Sequence, residues 1–301
     1  MKNIINVITS FALIGANILG AALPATAQRT NENPKTSSKI LYHGGRVLTG
    51  PADIYFIWYG CWTNNCGANG SADTTAMLTI FASNVGATDY SAINIGYPNT
   101  NGQHTSGALV YGGSAYDTNY SHGVELSVDD IEAIVTDQVE SHHLPQDPNG
   151  IYVVVASADV GSTETGLCSV PGVPFHHGNA VAFFSDTRYA FLGNPARCPA
   201  IAAPQFVAAS GTLLPTPNND LAGDALATDL ANVVSTTITN PWGDGWFDRY
   251  GLQNADKCRG TFGQTFATTN GARANVHWGQ RDYLIQQNWV NDRKGRCALS
   301  Q

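Results

Sequence analysis

Charge is scarce in this chain of 301 residues: Asp, Glu, Lys and Arg together make up 13% of it, and the net charge is −8. No cluster of Lys and Arg occurs anywhere. Nucleic acids and anionic membrane surfaces are held by such clusters, so neither is an expected partner. Catalytic signatures are missing too. There is no G-x-S-x-G, so no nucleophile elbow is signalled. G-x-x-x-x-G-K and G-x-G-x-x-G are absent, which removes the usual phosphate cradles. H-E-x-x-H is absent, and none of the eight histidines stands four residues from another, so no helix can present a zinc pair on one face. The lack of any C-x2-C pair argues against a zinc ribbon.

Long apolar runs are absent after the first 27 residues. The opening segment has Lys2, an apolar stretch from Ile4 through Ile18 to Leu23, then Pro24 and Ala25-Thr26-Ala27. That order is the pattern of an export signal cut after Ala27. Asn3, Asn6, Ser10 and Asn17 interrupt the stretch, unlike a spanning helix, which wants about 20 predominantly apolar residues. No transmembrane segment is expected once the signal is gone. The 274 remaining residues lose only Lys2 from the charged set, so their net charge is −9. Residues 28–40 are polar and are expected to be a flexible leader to a single domain over 41–301.

Six cysteines remain, and an even count in an exported chain points to disulfides. Six cysteines allow 15 pairings. Sequence neighbourhood favours Cys61–Cys66, Cys168–Cys198 and Cys258–Cys297.

The β-branched and aromatic run Asp53–Gly60 predicts a buried strand. Met77, Leu78, Ile80, Phe81 and Val85 predict a helix over 73–85. Short strands are expected near Ser91–Tyr97 and Ala108–Tyr111, with Gly112-Gly113 as a break. Ser127, Asp129 and Asp130 open a helix whose buried stripe is Ile131, Ile134, Val135 and Val139, ending by His142-His143. Ile151–Ala156, Ala180–Phe184 and Tyr189–Gly193 are further expected strands. A second long helix is expected over Ala222–Thr239, with Leu226, Leu230, Val233 and Val234 inward. Weaker strands are expected at Ala274–Trp278 and Tyr283–Trp289. Strands alternating with helices predict an α/β fold: one mixed, largely buried sheet flanked by helices.

Few residues stand out as chemical. His176-His177 are candidate ligands or catalytic groups, with strand-edge structural roles the more common alternative. His142-His143 suit a helix C-terminus, where the dipole favours a cation. Asp244, Asp248 and Asp256 do not have the spacing of a calcium loop and read as solvated or turn-capping acids. Trp242 and Trp246 suit core burial, or stacking on a carbohydrate at the surface.

Several stretches, in one order along the chain, resemble the EXORDIUM, or phosphate-induced protein 1, family of secreted proteins. They are Tyr42-His43-Gly44-Gly45 with Val47–Pro51, Ile54–Gly60, Tyr120-Ser121-His122-Gly123, Leu144-Pro145, Asp147–Tyr152, Leu192-Gly193-Asn194 before Cys198-Pro199, Thr239-Asn240-Pro241, Asn254-Ala255-Asp256 with Cys258, and Phe262-Gly263. The resemblance implies an extracellular setting. It also implies a zincin-like helix before an irregular, disulfide-tied C-terminal lobe, because many members carry His-Glu-Leu-x-Glu just before Thr-Asn-Pro. Here those positions read Thr228-Asp229-Leu230-Ala231-Asn232, and Gln253 stands where members often carry Glu. A hydroxyl and an amide are poor zinc ligands beside imidazole and carboxylate. The expected site is therefore vestigial: Thr228, Asp229, Asn232 and Asp256, with His176 and His177 as candidate additions. No cofactor and no metal are expected.

The expected function is that of a secreted, non-catalytic member of this family, a pseudoenzyme acting at the cell surface or in the matrix on an extracellular ligand such as a surface polysaccharide. A metal-dependent hydrolase with a rearranged site and a carbohydrate-binding module are the alternatives.

Overall fold

The computed structural model describes residues 39–162, 168, 179–184 and 187–301. The expected signal segment, the leader up to residue 38, and His176 and His177 lie outside the described residues. Ile40, placed at the end of the leader, is buried in the core, and its carbonyl accepts a hydrogen bond from the Asn291 amide.

The run of β-branched and aromatic residues forms β1 (Ala52–Tyr59), buried along nearly its whole length. It pairs on one side with β2 (Leu109–Asp117) and on the other with β3 (Gly150–Ala156), both parallel to it. A hairpin of β4 (Asn179–Phe184) and β5 (Thr187–Leu192) completes the sheet, in the order β2-β1-β3-β5-β4. Only β4 runs antiparallel. Helix α1 (Ala72–Val85) links β1 to β2, and α2 (Val128–Glu140) links β2 to β3.

Strand periodicity then divides the core. Ile54, Phe56 and Trp58 of β1 and Ile151, Val153 and Val155 of β3 face one way, against Met77, Leu78 and Phe81 of α1 and Leu226, Leu230 and Val233 of α3 (Leu221–Thr239). Tyr55, Ile57 and Tyr59 face the other way with Tyr152 and Val154, against Ile131, Ile134 and Val135 of α2. The result is a helix–sheet–helix sandwich. The start of α2 is locally encoded. Ser127 accepts from the Asp130 amide at 3.1 Å, and Asp130 returns the bond to Ser127 N at 2.8 Å, a capping box.

Three expectations are corrected. Ser91–Tyr97 is not a strand but a helical turn (Asp89–Ala92) running into a 3-10 turn (Ile93–Gly96); Thr88 caps it by accepting from Ser91 N. Gly112-Gly113 does not end its strand. β2 continues to Asp117 across a register shift, and the missing side chain makes room for the Tyr55 ring, which a Cβ at Gly112 would meet at 2.5 Å. Tyr283–Trp289 is not one strand; it splits between short hairpins, Val276–Trp278 with Arg281–Tyr283 and Asn288–Val290 with Arg296–Ala298.

α3 also has no solvent face. From Gly223 to Thr239 every residue is buried, polar ones included. Besides the sheet, α3 meets α1, the short helix Asn254–Lys257 and the segment Leu284–Gln286, further partners that a single apolar stripe does not announce. Tyr283 stands edge-on to Phe81 with ring centres 5.3 Å apart, and its hydroxyl reaches the Met77 carbonyl. The three disulfides are Cys61–Cys66, Cys168–Cys198 and Cys258–Cys297. The last closes the C-terminal lobe beside α4 (Asn254–Lys257). No helix among the described residues is long and apolar enough to cross a membrane.

Candidate functional site

The face of α3 named by the sequence lies inside the protein. Thr228 is fully buried, and its hydroxyl donates to the Leu284 carbonyl at 2.7 Å. Asn232, one turn on, is 7% exposed; its side-chain oxygen accepts from Gln286 Nε2 at 3.1 Å. The same Gln286 amide donates to the Ala255 carbonyl at 2.9 Å, tying α3 to α4. Asp229 is 2% exposed. Asp256 has a different use: it accepts from Gln253 N, closing the N-terminal cap of α4, and pairs with Arg259 at 2.8 Å. The structure thus links Thr228 and Asn232 to the C-terminal lobe through hydrogen bonds. It brings the α4 backbone, rather than the Asp256 carboxylate, to that network. Among the described residues no group of three or more His, Cys, Asp or Glu side chains is arranged to hold a metal ion.

The topology points to a second place. The chain leaves β1 for β2 on one side, then returns to β3 on the other, so the order reverses between β1 and β3. In open α/β sheets the crevice at the carboxyl ends of such strands is the usual place for a ligand. There β1 ends at Tyr59-Gly60-Cys61 and β3 at Ala156-Ser157-Ala158-Asp159. Ser157 is buried; its oxygen accepts from Cys61 N at 3.1 Å and its proton goes to Asp159 Oδ1 at 2.5 Å. Tyr120 donates to Asp159 Oδ2 at 2.7 Å. Burial pushes the Asp159 carboxyl up, but the bonds from Ser157 and Tyr120 outweigh it and hold the group below its ordinary value. Tyr120 is raised, by burial first and then by Asp159. Gly60 makes the approach possible. Its φ is +94°, and a Cβ there would sit 2.0 Å from Ser157 Oγ.

Around this core the edge is polar. Tyr59 donates to the Gly123 carbonyl at 2.7 Å and accepts from His122 N at 2.9 Å. His122 Nε2 lies 2.9 Å from Asp137, and Nδ1 lies 3.9 Å from Asp130. Arg197 pairs with Glu125 at 3.2 Å. Chemically, Ser157 ties the two strand ends together: its proton is given to a carboxylate, and its oxygen is taken by a backbone N–H. Neither Ser157 nor Asp159 lies in a recognised catalytic motif. Their signal was positional, a Ser-Ala-Asp run directly after a fully buried strand.

The expectation for the late acids also changes. Asp248 does cap a turn, accepting from Tyr250 N and Leu252 N, but it is fully buried and pairs with the equally buried Lys257 at 3.1 Å.

A family model, the phosphate-induced protein 1 conserved region, matches residues 40–298. The chain is 26% identical over 296 residues to Protein EXORDIUM-like 3 of Arabidopsis thaliana, covering 87% of this chain and 84% of that protein. It is 26% identical over 321 residues to Protein EXORDIUM-like 5 of the same plant, covering 95% and 85%. No solved structure matches it significantly.

Proposed function

The chain belongs to the phosphate-induced protein 1 family, and from that premise we propose that it is a secreted, non-catalytic protein acting outside the cell, at the surface or in the matrix. The observation that carries the non-catalytic part is the double use of α3. Thr228 and Asn232, at positions where the family pattern would place ligands, are engaged by Leu284 and Gln286 in the core. A metal ion there would have to displace both bonds and enter a helix face without solvent access. Export is supported by the segment ending in Ala25-Thr26-Ala27, by three disulfides suited to an oxidising compartment, and by the low charge content.

Two measurements test this. Expressed with its first 27 residues in a secreting host, the protein is expected in the exported fraction with an N-terminus at Gln28; retention of the full chain in the cytosol overturns export. Elemental analysis of that material is expected to find no stoichiometric zinc. Zinc at one per chain, lost to a chelator together with a hydrolytic activity, overturns the non-catalytic reading.

A further inference from the structure

At the opposite edge of the sheet, by the amino ends of β1 and β3, lies an open cleft of about 480 Å3, within the usual range of small-molecule sites. Four segments build it: the loop after Tyr42, the loop 99–101, the turn at Pro148-Asn149, and the loop at Trp242–Asp244. Its walls are braced. Leu41 and Tyr42 pair with Phe247 and Trp246, and His43 N and Gly45 N donate to the Gly245 and Asp244 carbonyls. The Trp246 indole donates to the Pro98 carbonyl at 2.9 Å. The Tyr42 hydroxyl meets Thr100 Oγ1 at 3.1 Å. Gly45 lets the loops close, since a Cβ there would lie 2.0 Å from Asp244 Oδ1.

The cleft also holds polar groups with capacity to spare. The Arg46 guanidinium is stacked 3.4 Å from the centre of the Trp242 ring, which fixes its fork of N–H donors. Among the described residues no hydrogen bond or ion pair engages the Arg46 guanidinium, the Asp244 carboxylate, or the side-chain amides of Asn101 and Asn149. The set is balanced: a guanidinium offers only donors, a carboxylate only acceptors, and each carboxamide both. A phosphate or polyuronate would meet one cation beside a carboxylate on a chain of net charge −8. A neutral sugar suits it better, because each hydroxyl both donates and accepts, and because the ring carbons can lie on aromatic and guanidinium planes.

We propose that this cleft binds a neutral oligosaccharide through Arg46, Asp244, Asn101 and Asn149, with Tyr42 and the stacked guanidinium plane of Arg46 supplying flat surface. The inference deepens the function above, resting on it for the extracellular setting in which such a glycan is met. The test is calorimetric titration of the folded, oxidised protein with β-1,4-linked gluco-, xylo- and manno-hexasaccharides, and with a galacturonate hexamer. At least one neutral hexamer is expected to bind saturably. Arg46→Ala and Asp244→Asn should each weaken it about tenfold or more, Thr49→Trp should abolish it by filling the cleft, and Asp73→Asn, exposed in the first turn of α1, should leave it unchanged. All three cleft positions are exposed, and unchanged melting temperatures will certify the variants as folded. Failure of every neutral hexamer to bind, binding of the galacturonate hexamer alone, or binding indifferent to the three cleft variants overturns the proposal. Exported, zinc-free protein that binds no sugar would sink the ligand class and leave the extracellular reading standing.

Discussion

The pair formed by Lys257 and Asp248 offers the sharpest test of how the C-terminal lobe is held. Both side chains are fully buried, 3.1 Å apart, and Lys257 also lies 4.9 Å from the centre of the Trp289 ring. Burial pulls the Lys257 ammonium below its ordinary value, while Asp248 pushes it back up. Removing one member of such a pair leaves a buried charge without its counter-ion, which typically destabilises by about 3–5 kcal/mol. For a domain of this size roughly 2–4 °C of melting temperature accompanies each kcal/mol, so Asp248→Asn should lower it by about 6–20 °C. The loss should shrink with rising pH. In Asp248→Asn the folded-state lysine titrates below its unfolded value near 10.4, so the unfolded chain binds more protons and stability climbs with pH up to that value. Lys257→Met should be similarly costly at neutral pH. The double variant Asp248→Asn with Lys257→Met should be less destabilised than the sum of the two, because it buries neither charge without the other. Urea unfolding of the four proteins, followed by tryptophan fluorescence at pH 7 and pH 9, measures the cycle. A loss below 1 kcal/mol for Asp248→Asn, or additive effects in the cycle, would refute the argument.

Two further outcomes follow from other sites. Asp224 is fully buried at the start of α3, and burial raises its carboxyl to about 6 despite bonds from Asn218. Between pH 4 and 6 the folded chain therefore holds a proton that the unfolded chain has lost, and this group subtracts up to about 3 kcal/mol of stability as pH rises through that window; Asp224→Asn should flatten that part of the urea-unfolding profile, and an unaltered profile would contradict it. Gly60→Ala should cost about 3 kcal/mol or more, since it adds left-handed strain to a clash with Ser157; Ser157→Ala should relieve part of that cost, and strictly additive losses would show that Gly60 and Ser157 do not confront each other.

Local chemistry made much of this protein legible. β1 was visible because β-branched and aromatic residues continue without a polar break, the mark of a strand covered on both faces. The start of α2 was visible because Ser127 and Asp130 satisfy each other within one turn. The disulfides followed from neighbourhood along the chain. Ser91–Tyr97 misled because its alternation resembles a strand, whereas the Thr88 cap and packing of Tyr90, Ile93 and Tyr97 into the core favour a helical path. The Ser157–Asp159–Tyr120 edge was not legible, because only the sheet order brings three distant segments to one crevice.

The sequence by itself determined where the chain can be extended or helical, which cysteines are available, and that no histidine stands between Thr228 and Asn232. These depend on neighbours a few residues away. Tertiary structure alone decided that α3 is enclosed on every side, that Asp248 is an interior anion rather than a solvated one, and that Arg46 and Asp244 share a cleft. Each of those depends on which distant segment covers a residue, and coverage sets the solvation that fixes whether a polar group serves as packing or as a site.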